Sequence, residues 1–296
     1  MNNSHDVIVV GAGQAGLAAS YHLKQRGIEH ILLDRGQPGE TWRTQRWDSF
    51  VLNTPNLANS LPGKPFYPDT PRAFETNANL ITYFEQYATE MGLPLRTGVE
   101  VKSATRASDG ETINVETTSG SYTTKNLIAA SGGQNVPIYP ASAENTPPNI
   151  VSLHGGTYRN PDQLPEGATL VVAGAQTGIQ LAEEIHEAGR TTYLSTSKVG
   201  RFRRQFRGSD IVQWLIKSGL SAHTPASLEN PEDMFTTQPI ASGVDGGKTV
   251  SLQALWQSGV HLLGRFERFE GSTAVFRDDL RGGSGNLHSG ISGIAA

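Results

Sequence analysis

Three glycines, Gly11, Gly13 and Gly16, form a GxGxxG pattern in GAGQAG, directly after the apolar run DVIVV and at the head of LAASYHLKQRG. The chemistry this pattern serves is the holding of a diphosphate. The first glycine permits a tight turn, the second lets the phosphates approach the backbone, and the third allows helix and strand to pack closely. The helix N-terminus, with Gln14 and Ala15 in its first turn, offers N–H donors and a positive partial charge. Asp34 ends the next apolar run, IEHILLD, where a carboxylate accepts from ribose hydroxyls.

Those residues need a strand, a turn, a helix and a second strand to position them, and the spacing supplies all four. Residues 40–75 are rich in Pro, Asn, Trp and Arg without sustained period and read as a long excursion over a ligand face. Leu80, Phe84, Tyr87 and Met91 predict a helix from Asn77, stopped by Gly92 and Pro94. Alternation around Val99, Val101, Ile113 and Val115 predicts a small antiparallel meander, followed by the apolar strand Leu127–Ala130. Pro137, Pro140, Pro147 and Pro148 break periodicity and mark a boundary. A second strand, turn and helix follows in TLVVAGAQTG and IQLAEEIHEAGR, then the strand TTYLST, a helix over Ser209–Gly219, another near Leu252–Trp256, the strand-like VHLLGRF and the hairpin-like FEGSTAVF. The fold class expected is α/β: two Rossmann-like three-layer dinucleotide-binding domains, residues 1–145 and 146–282, with the small meander and a Gly/Ser-rich tail over 283–296.

Composition narrows the class. A net charge of −4 with dispersed basic residues leaves no case for nucleic acid or an anionic membrane surface. The absence of cysteine excludes disulfides, thiolate metal sites and a redox CxxC. The apolar run Val7–Val10 is too short to span a bilayer and no basic segment precedes it, so a cytoplasmic location is expected. The eight histidines show no metal-ligand spacing, and no GxSxG elbow occurs.

The residues after Asp34 narrow the ligand. RGQPGETWRTQRWDS resembles the GGxW…RW segment that follows the acidic residue in flavin-containing monooxygenases and their bacterial relatives, with Gly39, Trp42, Arg46 and Trp47 in matching places. The resemblance continues through LNTP (Leu52 to Pro55), an LPGxPFP-like stretch from Leu61 to Pro68, AASGGQNVPIYP (Ala129 to Pro140) against an ATGxxxxPxxP linker with Ser131 for the usual threonine, and LHxxxYRNP (Leu153 to Pro161). It reaches about Leu280. It implies a two-dinucleotide-domain flavoprotein with FAD on residues 1–145 and NAD(P)H on 146–282, hydride passing to the flavin and oxygen reacting at the flavin C4a position. The implied FAD contacts are Gly11, Gly13, Gln14, Ala15, Gly16, Asp34, Arg35, Thr41, Trp42, Arg46, Trp47, Val101, Ser131 and Gly132. A small organic substrate and molecular oxygen are the implied reaction partners, and a homodimer is a further expectation. By residue type alone, Trp42 and Trp47 are packing residues and Arg46 a solvated charge.

Aligned on the family's VVGxGxSG, the second motif places Ala173 and Ala175 where the first two glycines belong, leaving Gly178 after Gln176 and Thr177. A Cβ at the second position crowds a diphosphate, and one at the first disfavours a turn that needs positive φ. A weakened NAD(P)H site is expected, with Gly174 offering a shifted turn; the alternative is a helix-packing turn without ligand. Lys198, Arg201, Arg203, Arg204 and Arg207 follow the second strand with no acid among them, where an arginine accommodates a 2′-phosphate. Thr196, Ser197, Lys198 and Arg201 are the candidates, favouring NADPH over NADH. His154 and Tyr158 match the HxxxY end of the monooxygenase fingerprint and are the candidate catalytic pair, although Pro148 and Ile150 replace its Phe and Gly; a hydrogen-bonded structural histidine is the other reading.

Three functions stay open. They are an FAD- and NADPH-dependent monooxygenase-like oxidoreductase, an NAD(P)H-dependent flavin or quinone reductase, and a truncated, non-catalytic nucleotide-binding protein. The last rests on the match ending near Leu280, where the resembled family returns to complete its first domain.

Overall fold

The computed structural model describes residues 3–196, 203–230, 232 and 240–280. The chain divides into two compact units, Met1–Arg46 with Asn56–Pro137, and Trp47–Pro55 with Ile138–Ala296.

In the first unit, β1 (Ser4–Val10), α1 (Gln14–Gln25) and β2 (His30–Leu33) form the expected parallel βαβ element. A short helix, α2 (Glu40–Thr44), and the longer α3 (Asn77–Glu90) lead to β3 (Leu95–Arg96), β4 (Val101–Arg106), β5 (Ile113–Thr117) and β6 (Gly120–Ala129). One six-stranded sheet results, in the order β3-β2-β1-β6-β5-β4. The meander is not a separate layer. β6 begins at Gly120 rather than at Leu127; its first half pairs antiparallel with β5 and its second half runs parallel to β1. The polar Tyr122–Asn126 stretch obscures this continuity in the sequence.

Ile8, Ile31, Leu33, Val99, Val115 and Tyr122 form a buried core, with Val10 and Val101 against it. α3 starts where Thr76 Oγ1 accepts from the Asn79 amide. Its buried face carries Tyr83 and Tyr87, whose hydroxyls donate to the Lys64 and Pro62 carbonyls at 2.6 Å each. The proline-rich stretch from Leu61 is thus held by a helix whose own pattern is plain.

The second unit repeats the plan with β7 (Thr169–Val172), α4 (Gln176–Glu187) and β8 (Thr192–Ser195). The pair β9 (Gln205–Phe206) and β10 (Ser209–Asp210) precedes α5 (Ile211–Lys217), capped by Asp210 through the Val212 amide. The turn α6 (Val244–Gly247) has non-helical dihedrals at Asp245 and Gly246. After α7 (Leu252–Ser258), β11 (His261–Leu263) joins the parallel sheet β11-β8-β7, and β12 (Phe266–Glu270) with β13 (Thr273–Phe276) forms the expected hairpin. Ile179, Leu194, Ile240, Leu255 and Val260 are its core. The tail from residue 283 lies outside the described residues.

Trp47–Pro55 belongs to the second unit because its hydrogen bonds are made there. The Asp48 amide donates to the Arg159 carbonyl at 2.8 Å, and Asn160 Nδ2 donates to Asp48 Oδ2 at 2.6 Å. Asn53 Oδ1 accepts from Gln180 Nε2 at 2.9 Å.

Candidate dinucleotide-binding sites

The turn between β1 and α1 requires its glycines for different reasons. Gly11 sits at φ +106° with its amide donating to the Leu33 carbonyl at 2.8 Å, and a Cβ there would run into the Ala130 carbonyl. A Cβ at Gly16 would overlap the Gly11 carbonyl. At Gly13 a Cβ would meet no atom within 4 Å. That open space lies over the head of α1, which has no side-chain cap and no acid in its first turn. Such a helix end presents N–H groups to an anion.

Asp34 locks the cradle. One carboxylate oxygen accepts from the Ala12 amide at 2.5 Å and the other from Gly36 at 2.8 Å, leaving each oxygen further acceptor capacity. Gly39, at φ +74°, starts α2 and donates to the Ala12 carbonyl at 3.1 Å. Thr41 lies on α2, and Val101 opens β4 against the core. The Arg46 guanidinium stacks over Trp42 at 4.7 Å, and burial pushes its pKa down from the usual arginine value. After β6, exposed Ser131 and Gly132 approach the same turn, and Asn135 Nδ2 donates to both of their carbonyls. Arg35 donates to Asn135 Oδ1 at 3.4 Å. The Gly11–Gly16 turn, Asp34–Arg35, Gly39 and Ser131–Gly132 therefore share one rim. Trp47 lies in the second unit, 5% exposed and edge-on to Phe50 at 4.8 Å, as a packing residue would be.

The turn after β7 solves the same problem differently. Neither Ala173, Gly174 nor Ala175 adopts a positive φ, so the strand enters α4 without the conformation that glycine is needed for. The shifted turn expected at Gly174 is not used, and Ala173 is accommodated. Gly178 remains obligatory, since a Cβ there would overlap that of Ala173. Gln176 exchanges side-chain hydrogen bonds with the Ala241 backbone, and Thr177 is exposed. Again the helix head has no side-chain cap and no acid in its first turn.

A cleft of about 600 Å³ lies at the carboxyl ends of β7 and β8, lined by Val172, Gly174, Thr196, Arg265 and Arg268 among others. This is where open α/β sheets bind ligands. Thr196 is buried at 2% exposure with its amide on the Leu263 carbonyl. Ser197, Lys198 and Arg201 lie outside the described residues. Of the basic run, Arg204 is 1% exposed and paired with Asp210 at 2.5 Å, its Nη1 donating to the Asn53 carbonyl, so it braces the fold. Asp210 lies just past the run, which is why the run alone gave no sign of this pairing.

His154 is half-buried. Its Nδ1 accepts from the Gly156 amide at 3.1 Å and its ring meets Tyr139 edge-on at 5.5 Å. Tyr158 is 2% exposed with its hydroxyl unpartnered among the described residues, and burial pushes its pKa well up. The two meet through backbone, the Tyr158 amide donating to the His154 carbonyl at 3.2 Å. Burial also raises Glu184, with Asp48 adding to the effect. Among the described residues no cluster suits a metal ion, and no helix is long and apolar enough to cross a membrane.

Two parallel βαβ units with uncapped helix heads define a Rossmann-type dinucleotide fold. Residues 8–225 match the pyridine nucleotide-disulphide oxidoreductase family, and the chain belongs to it. An uncharacterized oxidoreductase of Geobacillus kaustophilus, CzcO-like, is 36% identical over 231 residues, 77% of this chain and 65% of that protein, so the match spans somewhat under two thirds of its relative. The flavin-containing monooxygenase of Stenotrophomonas maltophilia shares the fold at a TM-score of 0.70, 21% identical over 94% of this chain and 75% of that one. OTEMO in complex with FAD and NADP does so at 0.54, 18% identical, over 73% and 44%.

Proposed function

We propose that the chain binds FAD at the Gly11–Asp34 cradle and NADPH at the cleft beside β7 and β8, and serves an oxidoreductase of monooxygenase type acting on a small organic substrate with oxygen. The observation that carries this is the open, uncapped head of α1 above Gly13, framed by a carboxylate at the end of β2. A cradle whose second glycine faces empty space fits a diphosphate, and Asp34 keeps acceptor capacity for a ribose. The CzcO-like relative supports an oxidoreductase, and the flavin and FAD–NADP proteins of like fold support the pair of cofactors.

The flavin and the nicotinamide supply the redox chemistry when bound, and the protein's part is to bind, orient and exclude water. Gly11, Gly13 and Gly16 shape the diphosphate seat, Asp34 takes the ribose, and Trp42 on α2 stacks with Arg46, which is partly desolvated. Without cysteine, the dithiol chemistry of the family's disulfide-reducing members has no site here.

The purified chain, reconstituted with FAD, should show a flavin spectrum that NADPH bleaches under anaerobic conditions. A protein that stays colourless after reconstitution refutes the flavin assignment. Colour that resists NADPH and NADH alike refutes the second site.

A further inference from the structure

The two βαβ units share three equivalent backbone hydrogen bonds. The Gly11 amide reaches the Leu33 carbonyl at 2.8 Å as Ala173 reaches Ser195 at 3.1 Å. Leu17 returns to Gly13 at 3.0 Å as Ile179 returns to Ala175 at 3.2 Å. Asp34 donates to the Arg96 carbonyl at 3.0 Å as Thr196 donates to Leu263 at 3.1 Å. The strand orders β3-β2-β1 and β11-β8-β7 agree as well. Thr196 thus holds the place of Asp34, and the stretch after Leu263 corresponds to the stretch after Arg96 at the adenosine end of the first cradle.

That correspondence has a chemical consequence. With threonine in place of the carboxylate, the last described residue after β8 carries no charge to repel a phosphate on a ribose 2′-oxygen. One strand over, the cleft is lined by Arg265, Arg268 and Arg277. Glu267 takes up Arg277 at 2.7 Å and Arg268 at 3.2 Å, and Glu270 also pairs with Arg268. The Arg265 side chain has no hydrogen bond or ion pair among the described residues. Its backbone, in contrast, is held firmly. Buried Ser195 donates its hydroxyl to the Gly264 carbonyl and accepts from the Phe266 amide, both at 2.8 Å, bracketing Arg265. The Arg265 amide donates to Asp279 Oδ1 at 3.0 Å. A Cβ at Gly264 would overlap the Arg277 carbonyl, so the corner is closely packed there.

We infer that Arg265, held at this corner by the Ser195 hydroxyl, is the group that recognises a 2′-phosphate on the adenosine of the second nucleotide. The inference rests on the proposed nicotinamide dinucleotide site and names the side chain that sets its preference. Guanidinium suits the task because its planar donors take a phosphate in two parallel hydrogen bonds. Arg265 is the binding residue and Ser195 the positioning residue.

Calorimetric titration of the FAD-saturated full chain with 2′,5′-ADP and with 5′-AMP tests this. The unaltered protein should prefer 2′,5′-ADP by roughly 10- to 100-fold, the range for a charge-assisted hydrogen bond. Arg265→Leu should bring the two affinities together by weakening 2′,5′-ADP alone. Ser195→Ala should lose several-fold of it with 5′-AMP unmoved, and Ser195→Thr should restore it; melting curves show that each variant folds. An Arg265→Leu protein that keeps the preference overturns the inference and leaves the nucleotide site standing. Equal weakening of both ligands overturns it too, since Arg265 then serves the adenine or the fold. An unaltered protein that binds neither ligand, nor NADPH, overturns the proposed second site and this inference with it.

Discussion

The Asp34 carboxylate accepts the amide proton of Ala12 at 2.5 Å, so the residue that follows β2 is bonded into the middle of the glycine turn. The acid shapes the turn and, in the proposed FAD site, also faces the ribose. Asp34→Asn keeps the size and one acceptor oxygen but loses charge, and Asp34→Ala loses both tasks. FAD affinity should fall by roughly tenfold in the first and 100-fold or more in the second, on the scale of about 1.5–3 kcal/mol for a hydrogen bond to a charged group. Flavin retained after gel filtration, read by visible absorbance, checks the order; equal retention in all three proteins would remove Asp34 from the site.

The glycines of the first turn separate binding from folding. A Cβ at Gly13 enters open space, so Gly13→Ala should melt within a few degrees of the unaltered protein and yet bind FAD at least about tenfold more weakly, because the methyl group would stand in the proposed path of the diphosphate. A Cβ at Gly16 collides with the Gly11 carbonyl, so Gly16→Ala should lose about 2 kcal/mol or more of stability with or without flavin. Thermal melts of apo and FAD-loaded protein distinguish the two. A Gly13→Ala protein with unimpaired FAD affinity would falsify the placement of the diphosphate.

Much of this first cradle was legible in the sequence because its demands are local. A glycine turn between a β-branched run and a helix, with an acid closing the next run, specifies its geometry within one supersecondary unit. The second unit was legible only in outline. Ala173 and Ala175 signalled a damaged motif, yet the backbone avoids positive φ there and needs no glycine at the first position. The assignment of Trp47–Pro55 to the second unit depends on Asp48 meeting Asn160 and Asn53 meeting Gln180, partners more than a hundred residues away that no period announces. Arg204 reads as one of a solvated basic run until Asp210 removes it from solvent. Ser195 and Arg265 could have been found by aligning the two βαβ units against each other, strand by strand.

The second turn yields a paired test. Gly178→Ala should destabilise by about 1–3 kcal/mol because its methyl group overlaps that of Ala173. Adding Ala173→Gly should recover part of that loss, the remainder coming from the Ala173 backbone, which also stands close. Urea melts of the single and double variants measure the coupling; additive losses would mean that the two side chains do not meet.

The pair of Arg204 and Asp210 is buried on both sides, at 1% and 8% side-chain exposure. Asp210 also caps α5 through the Val212 amide at 2.8 Å. Removing one partner of such a pair strands the other charge, so Asp210→Ala should cost about 3–5 kcal/mol in urea unfolding. Asp210→Asn keeps the cap and should cost less. Equal losses in the two variants would assign the whole effect to the ion pair, and an Asp210→Asn protein as stable as the unaltered one would assign it to the cap.

Glu184 contributes a pH dependence to stability. Burial is the largest influence on its carboxyl and raises its pKa, Asp48 and Glu187 push the same way, and Ser49 partly opposes them. A carboxyl raised on folding binds its proton more tightly in the native state. Its contribution is therefore fully favourable below the unfolded value of 4.5 and is lost as pH rises through the higher folded value. Glu184→Gln keeps the shape and a hydrogen-bonding oxygen for Ser49 while removing the charge that burial penalises. At pH 7 to 8 the variant should melt above the unaltered protein, by about 2 °C or more. At pH 4, where the unaltered carboxyl is already protonated, the two should converge. A difference in Tm that stays constant from pH 4 to pH 8 would show that the ionisation of Glu184 is not its source.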